Sequence, residues 1–106
     1  MSLDLFSPLK LGRTEMRNRI VMPPMVALRG LTTPEGLDWY GRHARGGVGL
    51  VIVEATVVSL EGRFSLNQLG AYNDTQIAGL SELAARIHAN DSVAAIQIHH
   101  AGRQTN

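Results

Sequence analysis

The sequence has no cysteine, few aromatic residues and no long apolar run. The absence of cysteine among its 106 residues excludes a disulfide framework and a thiolate metal site. No apolar segment reaches the roughly 18 residues that a membrane-spanning helix needs, and the first residues do not form a signal-peptide pattern. We therefore expect a cytoplasmic protein with no membrane partner. Two of the few aromatic residues, Trp39 and Tyr40, are expected to pack a helix rather than to stack on a base or sugar.

Net charge is almost absent as well. Ten basic and nine acidic residues give a net charge of +1, which offers no argument for a nucleic-acid partner. Apolar residues make up 44% of the chain, as is usual for a globular protein. The length allows one small domain, because domains typically span about 100–200 residues.

A short apolar strand at residues 20–22 stops at two prolines. Proline has no N–H to give to a sheet, so Pro23 and Pro24 end the strand. Ligands bind at the carboxyl ends of strands in parallel sheets and barrels. The segment from Pro23 to Met25 is therefore interpreted as one wall of a ligand site. The alternative is a core strand that ends at prolines and binds nothing.

The residues before this strand predict a small hairpin. Two short extended pieces, 5–12 and 14–18, flank a turn at Gly12–Arg13, and Leu9 and Leu11 alternate with polar neighbours. Such a hairpin could plug the end of a larger sheet.

Two further segments, 48–53 and 93–98, are apolar and predict strands. An unbroken apolar run, such as 48–53, is typical of a parallel strand that is buried on both faces. Residues 54–56 are taken to mark the carboxyl end of the first of these strands. The connection over 57–72 is longer than such loops usually are, which indicates a functional role.

Two helices are predicted between the strands. The first follows Thr33, which can cap it ahead of a proline, and ends at Gly46. The second opens at Asn73, which stands at capping-box spacing from Gln76, and runs to about Ala89. Its apolar stripe is Ile77, Leu80, Leu83, Ala84 and Ile87.

Three strands separated by two helices are successive βα units of an α/β fold with a parallel sheet. Pro23, Ala55 and Gln97 should then lie along one edge of that sheet. A polar amide near the end of an apolar strand must find hydrogen bonds or cost roughly 1–3 kcal/mol. Gln97 therefore either binds the imide edge of a heterocyclic ligand or caps the backbone of a neighbouring loop.

Three motifs resemble, in order and at family spacing, the first strand-end motifs of the old yellow enzyme family. They are Asn18–Met25, Gly49–Thr56 and Gln97–Arg103, and the opening Leu5–Leu9 is similar too. This family consists of FMN-dependent (β/α)8-barrel reductases and includes 2,4-dienoyl-CoA reductase-like proteins. The resemblance implies that residues 1–106 form the amino-terminal portion of a TIM barrel, with the hairpin, three strands and two helices, incomplete at the carboxyl terminus.

The resemblance also implies a cofactor site. Pro24 and Met25 would pack against the flavin and offer it main-chain contacts, Ala55 would lie small and close beside the ring, and Gln97 would hydrogen-bond the pyrimidine edge. The matching cofactor positions are Pro23, Pro24, Met25, Val26, Ala55 and Gln97.

Some positions depart from the family pattern or imply only supporting roles. Val26 stands where relatives often have a threonine or cysteine that contacts the flavin, so a backbone N–H could serve instead. Leu28 falls where some relatives have a substrate-facing tyrosine. His100 and Arg103 match motif residues that support the site. His99 and His100 would point to opposite faces of a regular strand, so no metal site is expected.

Relatives pass a hydride from NADH or NADPH to FMN and then to the β-carbon of an activated alkene. We therefore expect the amino-terminal segment of such an oxidoreductase, acting on a small-molecule alkene. A barrel needs about 250 residues, so the isolated chain is expected to be inactive, and no catalytic residue is assigned. The alternatives are a non-catalytic partial barrel that self-associates or needs a complementing chain, and a different barrel enzyme that acts on a phosphorylated metabolite.

Overall fold

The computed structural model describes residues 4–30, 33–66 and 68–105. It begins with the predicted hairpin, in which β1 (Leu9–Leu11) pairs antiparallel with β2 (Thr14–Met16). Gly12 has φ +61°, a turn conformation that glycine adopts at little cost. Met16 is 1% exposed, so the hairpin is anchored to the body of the domain by its second strand.

The main sheet is parallel, as predicted. Strand β4 (Leu50–Val57) pairs with β3 (Val21–Met22) along one edge and with β6 (Val93–His99) along the other. A two-residue strand, β5 (Leu69–Gly70), pairs with the carboxyl half of β4 on the side of β3. The sequence did not indicate β5, and it divides the predicted long loop into two shorter connections.

The predicted end of the central strand at residue 53 is wrong. β4 continues through Glu54, Ala55 and Thr56 to Val57, so these residues lie inside the strand rather than after it. Pairing to both β5 and β6 supplies hydrogen-bond partners for this extension. The polar Glu54 concealed the continuation in the sequence.

Both predicted helices are confirmed. Helix α1 (Pro34–Arg45) begins after Thr33, whose hydroxyl accepts a hydrogen bond from the Gly36 N–H at 3.1 Å. Helix α2 (Ile77–His88) follows a 3₁₀ turn at Asp74–Gln76, and the predicted capping box closes that turn. Ile77 was expected on the buried stripe but is 59% exposed, because the helix begins at this residue, beyond the reach of the core.

The core lies between the sheet and the two helices. Tyr40 and Ala44 of α1 and Leu83 and Ile87 of α2 pack against strand side chains, and all four are at most 2% exposed. The other core members are Met22, Leu37, Val51, Val53 and Leu69. Each helix therefore covers the same face of the sheet, as successive right-handed βα units require.

The amino-terminal edge of the sheet is joined by two polar side chains. The Arg17 guanidinium donates to the carbonyl oxygens of Ala44 and Val48, at 2.9 and 3.1 Å. The Asn18 amide donates to the Gly47 carbonyl at 2.6 Å. These bonds connect the hairpin exit to the helix and strand that follow, and fix the end of the sheet opposite to the predicted site.

None of the helices in the described parts of the chain combines the length and apolarity needed to cross a membrane.

Gly49 should tolerate no side chain, whereas Gly41 should. A Cβ at Gly49 would lie 2.5 Å from the Asn18 carbonyl oxygen, while one at Gly41 would meet nothing within 4 Å. We expect Gly49→Ala to lower the free energy of unfolding by about 1–3 kcal/mol through overpacking. Gly41→Ala, inside α1, should raise it by about 0.5–1 kcal/mol. Urea unfolding midpoints measure both, and equal midpoints for the two variants would contradict this packing.

Candidate cofactor site at the strand ends

The carboxyl ends of β3, β4 and β6 lie at one edge of the sheet, because all three strands run parallel. Pro23 directly follows β3 and is exposed, Ala55 is buried within β4, and Gln97 is exposed near the end of β6. The strands are staggered, since Met22 is level with Val51 and the pairing of β6 continues to Val57. Ala55 is therefore beside Gln97, whereas Pro23 follows a residue that is level with Val51, farther back along β4. All three lie toward the carboxyl ends of their strands, and their contact with one ligand stays a prediction.

A β-bulge brings Ala55 beside Gln97. Val53 pairs with Ile96 and Thr56 pairs with Ile98, so Glu54 and Ala55 together oppose the single residue Gln97. A bulge of this kind re-aims side chains, and such bulges are frequent next to active sites.

The bulge also decides which face each side chain takes. Val53 and Ile96 line one groove with residues of α2, so they lie on the helix-covered face. Because successive side chains of a strand point to opposite faces, Gln97 lies on the other face of the sheet. The extra residue returns Thr56 to the face of Ile98, and Ala55 shares the face of Gln97.

Gln97 has no protein partner for its amide among the described residues. The side chain is exposed, and no hydrogen bond reaches it from the parts of the chain that the structure describes. The alternative that Gln97 caps a neighbouring loop is therefore not observed there. An unpaired amide beside a small buried alanine can donate to and accept from a planar ligand.

The loop after β3 presents apolar side chains at the same edge. Met25, Val26 and Leu28 are 57%, 43% and 41% exposed, and Pro24 is half-buried. Leu28 has φ +54°, a left-handed conformation that is uncommon outside glycine and needs support from its surroundings. The loop therefore holds a defined and strained shape.

The residues after β6 form a compact turn. The His100 Nδ1 accepts a hydrogen bond from the Gly102 N–H at 2.9 Å, and the ring packs so tightly on Gly62 that no Cβ would fit there. Arg103 is exposed on the 3₁₀ turn Gly102–Gln104. The supporting roles that the resemblance implied for His100 and Arg103 stay predictions.

Gln68, which the sequence did not single out, connects three parts of this edge. Its amide oxygen accepts from the Phe64 N–H at 2.8 Å. Its amide nitrogen donates to the Ala55 carbonyl at 3.3 Å and lies 3.0 Å from His99 Nδ1. Phe64 also meets the His99 ring edge to face. Gln68 therefore fixes the loop after β4 against both β4 and β6.

A second unpredicted feature is the buried pair of Glu54 and Tyr40. The Tyr40 hydroxyl accepts a hydrogen bond from the Glu54 N–H at 2.9 Å, and the two residues are 1% and 3% exposed. Burial raises the pKa of Tyr40 well above its ordinary value, and the negative charge of the Glu54 side chain adds to this rise. A glutamate in an otherwise apolar strand was the one signal in the sequence.

No metal centre accompanies these groups. The residues that the structure describes contain no cluster of three or more histidine, aspartate or glutamate side chains able to hold an ion. A cavity of about 430 Å³ opens beside Leu28, between the loop after β3 and the start of α2. Its other polar lining groups include Arg29, Thr33, Gln68 and Gln76.

A parallel sheet built from successive βα units defines the class as an α/β protein, and proteins of this class bind ligands at the carboxyl ends of the strands. Residues 4–106 match the model of the NADH:flavin oxidoreductase / NADH oxidase family, and the chain belongs to that family. It is 45% identical to the NADPH dehydrogenase of Bacillus cytotoxicus, over 98% of this chain and 32% of that protein.

Solved structures share the fold. Old Yellow Enzyme from Pichia sp. AKU4542 superposes with a TM-score of 0.88 at 29% identity, covering 97% of this chain and 28% of that one. Morphinone reductase, in its complex with tetrahydroNAD, gives 0.84 at 32% identity, covering 98% and 29%. The chain therefore spans about a third of the length of the relatives it matches, and corresponds to the amino-terminal part of their barrels.

Tyr40 should resist ionisation in the folded protein. The chain has two tyrosines, so Tyr72→Phe leaves Tyr40 as the single phenol. Because the folded pKa of Tyr40 is raised, its neutral form stabilises the fold below the ordinary pKa of about 10. That stabilisation is lost as the pH rises further. Tyrosinate absorbance should appear only together with unfolding, and absorbance that rises near pH 10 in the native chain would contradict this.

Proposed function

We propose that this chain supplies the first strand ends of the flavin site in an FMN-dependent oxidoreductase. The reaction is the transfer of a hydride from NADH or NADPH, by way of FMN, to the activated C=C bond of a small-molecule alkene. The observation that carries the proposal is the bulge in β4, which brings the small Ala55 beside the unpaired amide of Gln97. Family membership gives the reaction class.

The residues present fit a flavin. An isoalloxazine ring has an apolar body and an imide edge with both donors and acceptors, and it needs a flat site. Ala55 is small enough to let a ring approach the sheet, and the Gln97 amide can pair with both kinds of group. Met25 and Val26, in the loop after β3, offer exposed apolar surface. Pro23 and Pro24 have no N–H and hold this wall of the site rigid.

FMN, when bound, supplies the hydride-accepting and hydride-donating chemistry. The role of this chain is to bind and orient the FMN. Gln97 hydrogen-bonds the pyrimidine edge, and the N–H of Val26 takes the place of the hydroxyl or thiol that Val26 lacks. Leu28 presents an apolar contact to the substrate. His100 and Arg103 support the edge from the turn after β6.

The reductant and the rest of the site come from the comparison with relatives. One relative is an NADPH dehydrogenase and another was solved with tetrahydroNAD, which supports a nicotinamide as electron donor. Because the relatives are about three times longer, we propose that the other barrel strands provide the phosphate site, the substrate-anion site and the proton donor.

A second candidate function follows from the edge of β6. Ile96 and Ile98 are 40% and 70% exposed, and Val53 and Ala94 open into an apolar groove of about 250 Å³ beside α2. Exposed apolar strand edges favour pairing with another chain. A partial barrel that self-associates or takes a complementing chain, without catalysis of its own, would use this surface.

Removing the Gln97 amide should weaken FMN binding. Gln97→Leu keeps the approximate volume and removes both hydrogen-bonding groups, so we expect the Kd for FMN to rise by about tenfold, the factor that 1.4 kcal/mol represents. The measurement is a titration of FMN fluorescence with the chain, alone and mixed with the complementary carboxyl-terminal part of a family member. A chain that leaves FMN fluorescence unchanged in both mixtures would exclude the proposal.

The matched control is Asn90→Leu. Asn90 is an amide at the opposite, amino-terminal edge of the sheet, where it donates to the Arg86 carbonyl at 3.0 Å. Its loss should leave the Kd for FMN unchanged. Equal weakening by both variants would indicate a general loss of stability rather than a contact at Gln97.

The second candidate function predicts a change in assembly. Ile98→Lys places a charge on the exposed strand edge without touching the core, and charged edges oppose edge-to-edge pairing. We expect it to shift the chain from oligomer to monomer in sedimentation velocity while FMN binding is unaffected. If the unsubstituted chain is already monomeric at high concentration, self-association is wrong.

A further inference from the structure

Glu54 is the extra residue of the bulge, and its carboxylate is turned away from the proposed ligand. Ala55 shares the face of Gln97. The Glu54 carboxylate instead bonds to the loop after β3, and the Glu54 N–H bonds to the Tyr40 hydroxyl of α1. The side chain is buried, and no basic residue in the described ranges forms an ion pair with it. A buried carboxylate is costly unless hydrogen bonds compensate it.

Those hydrogen bonds come from the loop. One carboxylate oxygen, Oε2, accepts from the Ala27 N–H at 2.6 Å and from the Leu28 N–H at 3.3 Å. Within the described residues, no other hydrogen bond reaches the main chain from Met25 to Leu28. Both N–H groups therefore share one oxygen, and Leu28 itself has the left-handed conformation. Glu54 is thus the anchor of the loop.

Tyr40 and Thr33 complete the support from α1. The Tyr40 hydroxyl accepts a hydrogen bond from the Glu54 N–H, and this bond holds the bulge against the helix. The Thr33 hydroxyl donates to the Arg29 carbonyl at 2.6 Å, which ties the far end of the loop to the helix start. Hydrogen bonds therefore connect the loop to Glu54 of β4, Glu54 to Tyr40 of α1, and the end of the loop to the start of α1.

This arrangement separates the loop N–H groups into two sets. The N–H groups of Ala27 and Leu28 are taken by Glu54, whereas those of Met25 and Val26 have no hydrogen-bond partner among the described residues. Met25 and Val26 themselves are exposed residues of the loop that follows β3. The loop is held by one pair and leaves the other pair available to a ligand.

We propose that Glu54 is a positioning residue that sets the main chain of Met25 and Val26 for contact with the flavin. This inference rests on the proposed function. Glu54 does not touch the cofactor in this account. It acts by fixing the N–H groups of Ala27 and Leu28. The N–H groups of Met25 and Val26, which precede them, then keep one orientation and lose no conformational entropy when the ligand binds.

The test is Glu54→Gln, with Tyr40→Phe as a second variant in case the first does not fold. Glutamine keeps the volume and removes the charge that strengthens the two loop hydrogen bonds. In amide NMR spectra of the chain without ligand, we expect the proton resonances of Ala27 and Leu28 to move upfield and their hydrogen exchange to accelerate. The Kd for FMN should rise by about tenfold.

Two controls separate positioning from stability. Glu82→Gln removes an exposed carboxylate on α2 and should change neither the resonances nor the Kd. Gly49→Ala destabilises the opposite edge of the sheet, and should lower the unfolding midpoint while the loop amides and the Kd for FMN stay unchanged. A positioning role requires that the Glu54 variant differ from Gly49→Ala at equal loss of stability.

Each outcome bears on one claim. Unmoved loop amides in Glu54→Gln would overturn the anchor, and moved amides with an unchanged Kd would overturn the positioning role while the flavin site stands. If the unsubstituted chain binds no FMN, alone or complemented, the proposed function fails and the positioning role fails with it. In that case the amide resonances still report whether Glu54 holds the loop.

Discussion

The structure depends on the pairing of one strand, β4, along both of its edges. β3 and β5 pair with the two ends of one edge and β6 pairs with the other edge. Between β3 and β5, the side chains of Tyr40 and Gln68 bond to the Glu54 N–H and the Ala55 carbonyl. These partners allow β4 to bury seven of its eight residues, because buried backbone groups need hydrogen bonds. The residue inserted at Glu54 is tolerated because pairing resumes on either side of it. Without that two-sided support the bulge would end the strand, and Ala55 would not be fixed beside β6.

The same constraint links packing to the candidate site. The bulge turns two successive residues to different environments: Glu54 reaches a loop and a helix, and Ala55 faces the proposed ligand. A regular strand would place the glutamate on the face of Gln97, where its charge would lie beside the proposed ligand. The inserted residue therefore removes a carboxylate from the ligand face and uses it to hold the adjacent loop. The β-bulge therefore determines both the shape of the proposed site and the position of the charge next to it.

Local signals in the sequence were enough for the hairpin, both helices, three strands of the main sheet and the fold class, but not for β5 or for the end of β4. Prolines at 23 and 24 ended the first strand, Thr33 and Asn73 began the helices, and each cap is present in the structure. Contacts between distant residues were not readable. Gln68 bonds to residues 4, 13 and 31 positions away, and no local periodicity encodes such a set. The bulge was missed because it changes alternation by a single residue in a strand that is apolar on both faces.

The two proposed functions of the chain place different demands on the same surface. A flavin site needs Ala55, Gln97 and the loop after β3 in fixed relation, and the Glu54 anchor provides this within the chain itself. Barrel closure needs the exposed edge of β6, where Ile98 is 70% exposed, to pair with a further strand. The arrangement of the flavin site depends on a buried charge and its hydrogen bonds, which require a defined local geometry. Pairing at the edge of β6 depends on buried apolar area, which does not require such a geometry. The residues of the proposed site can therefore be ordered before another strand pairs with β6. A strand that pairs with β6 would then extend a ligand site that is already formed.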